Sequence, residues 1–330
     1  MQDDGGGRDV AARFRRAVAD GALDLPLPGG GRTPERFEAL VALARNDLSL
    51  ARLGEGHADA LAILAEAGRR PGAGAYGVWA ASSRHARLDA EPAGKGWCLS
   101  GRKPFCSGAT SVRRALVTAF AEGSQLLLDV EVANAVRPVE GSWPAVGMAD
   151  SDSRTVAFDL VVDADAQVGP PGFYVERPGF WHGAVGVAAC WYGGASRLVD
   201  DTIGYMKESG SEAHALAHLG TAVATATAMR ATLAWAAAEF DADPADKDGN
   251  ARRVAATVRE VVHSGCVEVM TRTAAAAGAR LLCHDGGHGR AAADLWVYLS
   301  QYHGGRDAAD IGRAALQPPP PGAGGHRRGW

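Results

Sequence analysis

The sequence predicts an α+β fold in three parts: an N-terminal helical domain, a middle β-barrel or sandwich domain, and a C-terminal four-helix bundle. Three observations lead there. Apolar residues recur at helical spacing before residue 70, at a period near two from about 75 to 163, and at helical spacing again from about 180 to 316. Helices and strands come in blocks instead of alternating as βαβ units. A length of 330 residues is enough to bury a substantial core. The expected boundaries are 1–70, 71–173 and 174–316, with QPPPPGAGGHRRGW at 317–330 as an unpacked tail.

The first block runs from about 33 to 68, where Phe37, Leu40, Val41, Leu43 and Ala44 lead into Leu48, Leu50 and Leu53, then Leu61, Ile63 and Leu64. Arg69-Arg70-Pro71-Gly72 ends it. Candidate strands lie at 76–80, 97–100, 115–120, 125–130 and 155–162, the last reading TVAFDLVV, with Ser100-Gly101 among the turns between them. In the last block, Leu216, Leu219, Val223, Ala226, Arg230, Leu233, Ala237 and Phe240 step by threes and fours. That is a bundle seam with Arg230 as its one polar interruption. The preceding GAVGVAACWYGGASRLVDD is dominated by small residues, which lets helices approach closely.

A formal charge of −4 gives no electrostatic case for nucleic acid or an anionic membrane surface. Five cysteines without a CxxC pair read as free thiols in a reducing compartment. MQDDGGGRDVAARF has no apolar core of a signal peptide, and no apolar run is long enough to span a membrane. A soluble cytoplasmic protein is the expectation.

Four stretches invite a chemical reading. GAGAYG at 72–77 matches GxGxxG, but a helix precedes it and a strand-like segment follows, the reverse of a dinucleotide loop. It reads as a helix-to-strand turn. Cys283-His284-Asp285-Gly286-Gly287-His288 clusters potential metal ligands without the paired spacing of a zinc site, so it reads as a polar loop between helices. His303, beside Trp296 and Leu299, has the ordinary reading of a structural histidine near a bundle seam. Phe105-Cys106-Ser107-Gly108 resists a packing account. A glycine after a serine at a strand end lets backbone approach something flat or anionic, and the aromatic can cover a ring.

With these motifs in place, the order of segments resembles the acyl-CoA dehydrogenase superfamily of flavoproteins over about residues 25–316. GWCLSGRKPFCSGATSVRRALVTA is similar to the family's strand pair carrying G-x-K-x-aromatic-I-Thr/Ser-N-Gly. RNDLSLARLGEGHADALAIL resembles its N-terminal helix, and VGMADSDSRTVAFDLVVDADAQVG its later β segment. The 183–205 stretch resembles the first helix of its C-terminal domain. The resemblance implies FAD as cofactor, with Phe105 against the isoalloxazine, Ser107 near flavin N5 and Cys106 contributing backbone. Tyr76, Val78 and Trp79 fall where the family's Y-x-x-T-E-P strand meets FAD, although Trp79 and Ala80 replace the Thr and Glu.

The family's catalytic Glu has no counterpart. Its usual Y-E-G loop matches Tyr302-His303-Gly304, and its alternative position falls near Gly183. His303 is the candidate base, since its ordinary pKa lies closer to neutrality than a carboxylate's. The resemblance therefore implies α,β-dehydrogenation of an acyl thioester, on CoA or a carrier protein, with an electron-acceptor flavoprotein or oxygen. It also implies a homodimer or homotetramer. The alternatives are a flavin-dependent monooxygenase of the same fold supplied with externally reduced flavin, and a partner subunit that kept the fold and lost its site.

Overall fold

The computed structural model describes residues 9–83, 86–210, 212–302 and 304–316. Three helices come first: α1 (Val10–Ala19), α2 (Thr33–Asn46) and α3 (Leu48–Glu66). The single helical block expected at 33–68 is split at Asp47, which is extended (φ −160°) and accepts from the Leu50 amide as N-cap. α1 was not expected; its buried stripe is only Val10 and Phe14, capped by Asp9. α3 is buried on nearly every side, as an all-round apolar helix must be.

Seven strands follow: β1 (Tyr76–Trp79), β2 (Leu88–Ala93), β3 (Gly96–Cys106), β4 (Arg114–Ala121), β5 (Ser124–Glu131), β6 (Arg137–Pro138) and β7 (Arg154–Asp163). They form one curled sheet in which β3 lies antiparallel between β2 and β7, and β7 pairs with β6. One edge of β4 holds β5; β1 runs parallel along the first half of the other edge, and β2 touches it at Phe120. GAGAYG follows α3 and its last two residues, Tyr76 and Gly77, open β1, as expected of a helix-to-strand turn.

The expected turn at Ser100-Gly101 is absent, because β3 continues to Cys106. Gly101 serves a close approach instead: at φ +122°, an added Cβ would sit 2.3 Å from the Arg87 carbonyl. The strand ends in a bulge between Lys103 and Cys106.

A short α4 (Phe173–Glu176) leads into α5 (Gly179–Ser209), α6 (Ala213–Ala242), α7 (Ala251–His284, broken at Gly278), α8 (Gly286–Leu299) and α9 (Gly304–Leu316). The small residues of α5 act as expected. A Cβ on Gly193 would lie 2.6 Å from the Val41 carbonyl, and one on Gly194 2.9 Å from Leu48, so α5 packs directly onto α2 and α3. The α6 seam is corrected in its first half: Leu216, Val223 and Arg230 are exposed, and Ala222 and Met229 take the buried face before Leu233, Ala237 and Phe240. Among the described residues no helix is long and apolar enough to cross a membrane. In the Cys283–His288 stretch, Asp285 caps α8 and His288 Nδ1 lies 3.1 Å from Asp201, which are structural tasks.

Candidate active site

A cavity of about 740 Å³ opens where the three blocks meet. Its α3 wall presents Arg52, Glu55, Gly56 and Asp59. The strand ends supply Val78, Ala80, Phe105 and Ser107, and the β6–β7 connection supplies Trp143, Met148, Ser151 and Ser153. Tyr174, Arg177, Phe180, Gly183 and Val187 come from α4 and the start of α5; Arg259 comes from α7 and Tyr298 from α8.

The Phe105–Gly108 corner is shaped by the bulge at the end of β3. Phe105 takes a left-handed backbone (φ +56°), unusual for an aromatic residue, and its side chain is 58% exposed. Its ring meets that of Trp143 edge-on, with centroids 6.4 Å apart and planes at 89°. A ring held out at a local cost, beside a cavity, fits a flat ligand.

Below it the backbone is tied down. Trp79, fully buried, donates its indole N–H to the Ser107 carbonyl at 2.9 Å, and the Gly108 amide donates to Ser151 O at 2.8 Å. Cys106 points inward, with its thiol against the Lys103 carbonyl. Burial pushes that thiol up to about 12, so it is inert at neutral pH.

Three serine hydroxyls form a chain whose direction can be deduced. Ser151 spends its single hydroxyl proton on the Met148 carbonyl at 2.7 Å. The 2.8 Å contact between Ser151 and Ser153 must then be donated by Ser153, and the 2.8 Å contact between Ser153 and Ser107 by Ser107. Ser107 therefore presents only acceptor lone pairs to a ligand.

The α3 wall is charged and dry. Glu55 and Arg52 form an ion pair, each of them on the cavity. Burial pushes the Glu55 carboxyl up to about 7; Arg52 opposes this and the neighbouring Asp59 reinforces it. Because that folded value lies above the unfolded carboxyl value of about 4.3, the stability linked to Glu55 is fully present below about pH 4. It is lost as the pH rises to about 7. Melting temperatures of wild type and Glu55→Gln should therefore diverge over that interval, with wild type falling; parallel curves would show that Glu55 does not titrate there.

Asp59 Oδ1 is buried without a hydrogen-bond partner, its nearest cation being Arg36 at 3.8 Å. Arg177 Nε is likewise buried and unpartnered, while the buried Tyr298 hydroxyl lies against the Cys190 thiol.

Of the residues singled out from sequence, Val78, Phe105 and Ser107 line the cavity. Trp79 and Cys106 do not; they brace the corner from inside the sheet core. Tyr76 is corrected to a core residue: its ring is fully buried, its hydroxyl contacts Asp129 at 3.2 Å, and it borders only a cleft of about 10 Å³ between α3 and β1. His303 lies outside the described residues. Glu55 and Asp59 were missed from sequence. The available signal was a row of charges on a helix that is otherwise apolar all round.

No protein-family model matches the sequence, and no curated protein is close enough in sequence to count as a relative. Solved structures do match. TdsC from Paenibacillus sp. A11-2, in complex with FMN and indole, superposes with a TM-score of 0.79 at 21% identity, over 94% of this chain and 97% of its own. The chain shares that fold. Methanesulfinate monooxygenase MsuC from Pseudomonas fluorescens gives 0.78 at 18% identity, over 97% and 99% of the two chains. Nitrososynthase from Micromonospora carbonacea var. africana gives 0.75 at 21%, over 93% and 94%. TdsC is described as a dibenzothiophene monooxygenase. TdsC is also solved with FMN bound, at a TM-score of 0.79 and 20% identity.

Proposed function

We propose that the protein is a flavin-dependent monooxygenase that takes up reduced FMN and molecular oxygen and oxygenates a small organic substrate in the 740 Å³ cavity. The observation that carries this reading is the direction of the serine chain. An acceptor-only hydroxyl suits a ring that offers N–H at N5, as reduced flavin does, and faces a lone pair on oxidised flavin. The monooxygenase MsuC and FMN-bound TdsC support the same choice, and the proposal names FMN in place of FAD.

The exposed ring of Phe105 and the acceptor hydroxyl of Ser107 fit such a group. Phe105 would lie along it, Val78 and Ala80 would border it, and Ser107 would accept from it. When bound, reduced flavin supplies the electron pair that activates oxygen. Trp143, Phe180 and Val187 keep water from the reacting atoms.

An acyl-CoA dehydrogenase needs a carboxylate base. Among the described residues, none from the C-terminal helices lines the cavity. Glu55 and Asp59 line it from α3 instead. On the strength of the serine chain and the monooxygenase neighbours, the acyl thioester gives way to a small organic substrate, with oxygen as the electron acceptor. A subunit that had lost its site gives no account of a cavity of about 740 Å³ bordered by Phe105 and Ser107. Self-association remains part of the proposal, since α6 exposes Leu216 and Val223.

Anaerobic titrations with reduced and oxidised FMN test this reading. Wild type should prefer the reduced form by about tenfold or more. Ser151→Ala frees the Ser153 proton, lets the chain reverse, and should narrow the preference. Equal affinities in wild type would remove the argument.

A further inference from the structure

We propose that Asp294 is a positioning residue for the flavin corner: it holds the Met148 peptide, through which both the Trp143 ring and the serine chain are oriented. The inference rests on the flavin reading for what the corner binds; the hold of Asp294 on the corner is a matter of geometry.

Asp294, on α8, is 5% exposed and does not border the cavity. Its Oδ1 accepts the Met148 amide, 146 residues earlier in the chain. The carbonyl of the same residue is a hub. It accepts the Trp143 indole N–H at 3.0 Å, the Ser151 hydroxyl at 2.7 Å and the Ser151 amide at 3.1 Å. Two of these donors lead to the site. Trp143 meets Phe105 edge-on, and the Ser151 hydroxyl begins the proton order that passes through Ser153 and leaves Ser107 an acceptor. Asp294 thus stands behind both groups assigned to the flavin without touching either.

The loop is docked closely on this turn of α8. A Cβ on Gly147 would lie 2.1 Å from the Ala293 carbonyl, so the two backbones meet immediately before Met148. Arg290, one turn earlier on α8, pairs with Asp150 of the loop, and its Nε lies 3.8 Å from Asp294. Met148 itself takes a left-handed backbone (φ +58°), which a non-glycine residue keeps only where its surroundings over-determine it. Here its side chain is buried in the bundle core with Leu295, and its amide is bound by Asp294. Without that acceptor Met148 is free to relax toward negative φ, which re-aims its carbonyl. Ser151 then loses the fixed target of its proton, can donate to Ser153 instead, and the chain reverses.

Anaerobic titrations of Asp294 variants with reduced and oxidised FMN, paired with amide hydrogen exchange in the absence of flavin, test this. In Asp294→Ala, peptides spanning 143–153 should exchange about tenfold or more faster. The preference for reduced FMN should fall from about tenfold to about threefold or less. Asp294→Asn retains an acceptor oxygen and should restore both. Gly147→Ala pushes the loop off α8 with Asp294 intact and should act like Asp294→Ala, which keeps the test available if that variant does not fold. Ser151→Ala combined with Asp294→Ala should narrow the preference no further than either alone, as expected of two residues on one path. A general loss of packing would weaken both redox forms alike and leave their ratio at the wild-type value. That result, or unchanged exchange in Asp294→Ala, overturns the proposal. Equal wild-type affinities for the two forms, with exchange still faster in Asp294→Ala, would instead count against the flavin reading and leave the hold of Asp294 on the loop standing.

Discussion

Trp79→Ala should cost about 3–5 kcal/mol of folding stability and weaken FMN binding as a consequence, although Trp79 never reaches the cavity. The indole is 1% exposed and meets Phe158 edge-on with centroids 6.3 Å apart, so its removal leaves a void inside the sheet core. It also strips the Ser107 carbonyl of its donor. Trp79→Phe separates the two effects: most of the packing returns, and the unpartnered carbonyl alone should cost about 1–3 kcal/mol. Chemical denaturation of both variants checks this. A Trp79→Ala protein as stable as wild type would mean that the corner is held by something else.

Phe105→Gly should do the opposite. Phe105 is largely exposed and holds a left-handed backbone that glycine adopts without strain. Relief of that strain and the added freedom of the unfolded glycine chain largely offset one another, so stability should stay within about 1 kcal/mol of wild type. FMN affinity should nevertheless fall roughly ten- to a hundredfold, the equivalent of about 1–3 kcal/mol of ring stacking. Two neighbours in one corner thus divide the work: Trp79 carries the fold, and Phe105 spends a little of it on a ligand. Equal FMN affinity in Phe105→Gly and wild type would remove Phe105 from the site.

The order of the blocks was legible because period 3.6 and period two leave different imprints on a sequence. The Phe105–Gly108 corner stood out because its residue types make no sense as packing, and Phe105 and Ser107 do border the cavity. Other parts were hidden for physical reasons. Strand alternation places Trp79 on the opposite face from Val78, so adjacent residues on β1 brace and line the cavity respectively. Tyr76 shares the parity of Val78 but sits deeper, under α3, where Asp129 takes its hydroxyl. On α6, alanine and threonine make several faces equally apolar, and the threefold and fourfold steps through Leu216 and Val223 select the wrong one. β6 is two residues long and carries no pattern. Glu55 and Asp59 escaped notice because charges on a helix normally mark its wet face. Here α5 and α8 pack against that helix, and the charges line the cavity between them.

The most direct measurement is an anaerobic equilibrium titration of the protein with reduced FMN, set beside the same titration of Ala80→Trp, whose side chain fills the cavity next to Val78. A flavin lodged beside Phe105 requires saturable one-to-one binding by wild type and its loss in the filled variant. Undiminished binding by Ala80→Trp, or none by the wild-type protein, would contradict the placement on which every other assignment depends.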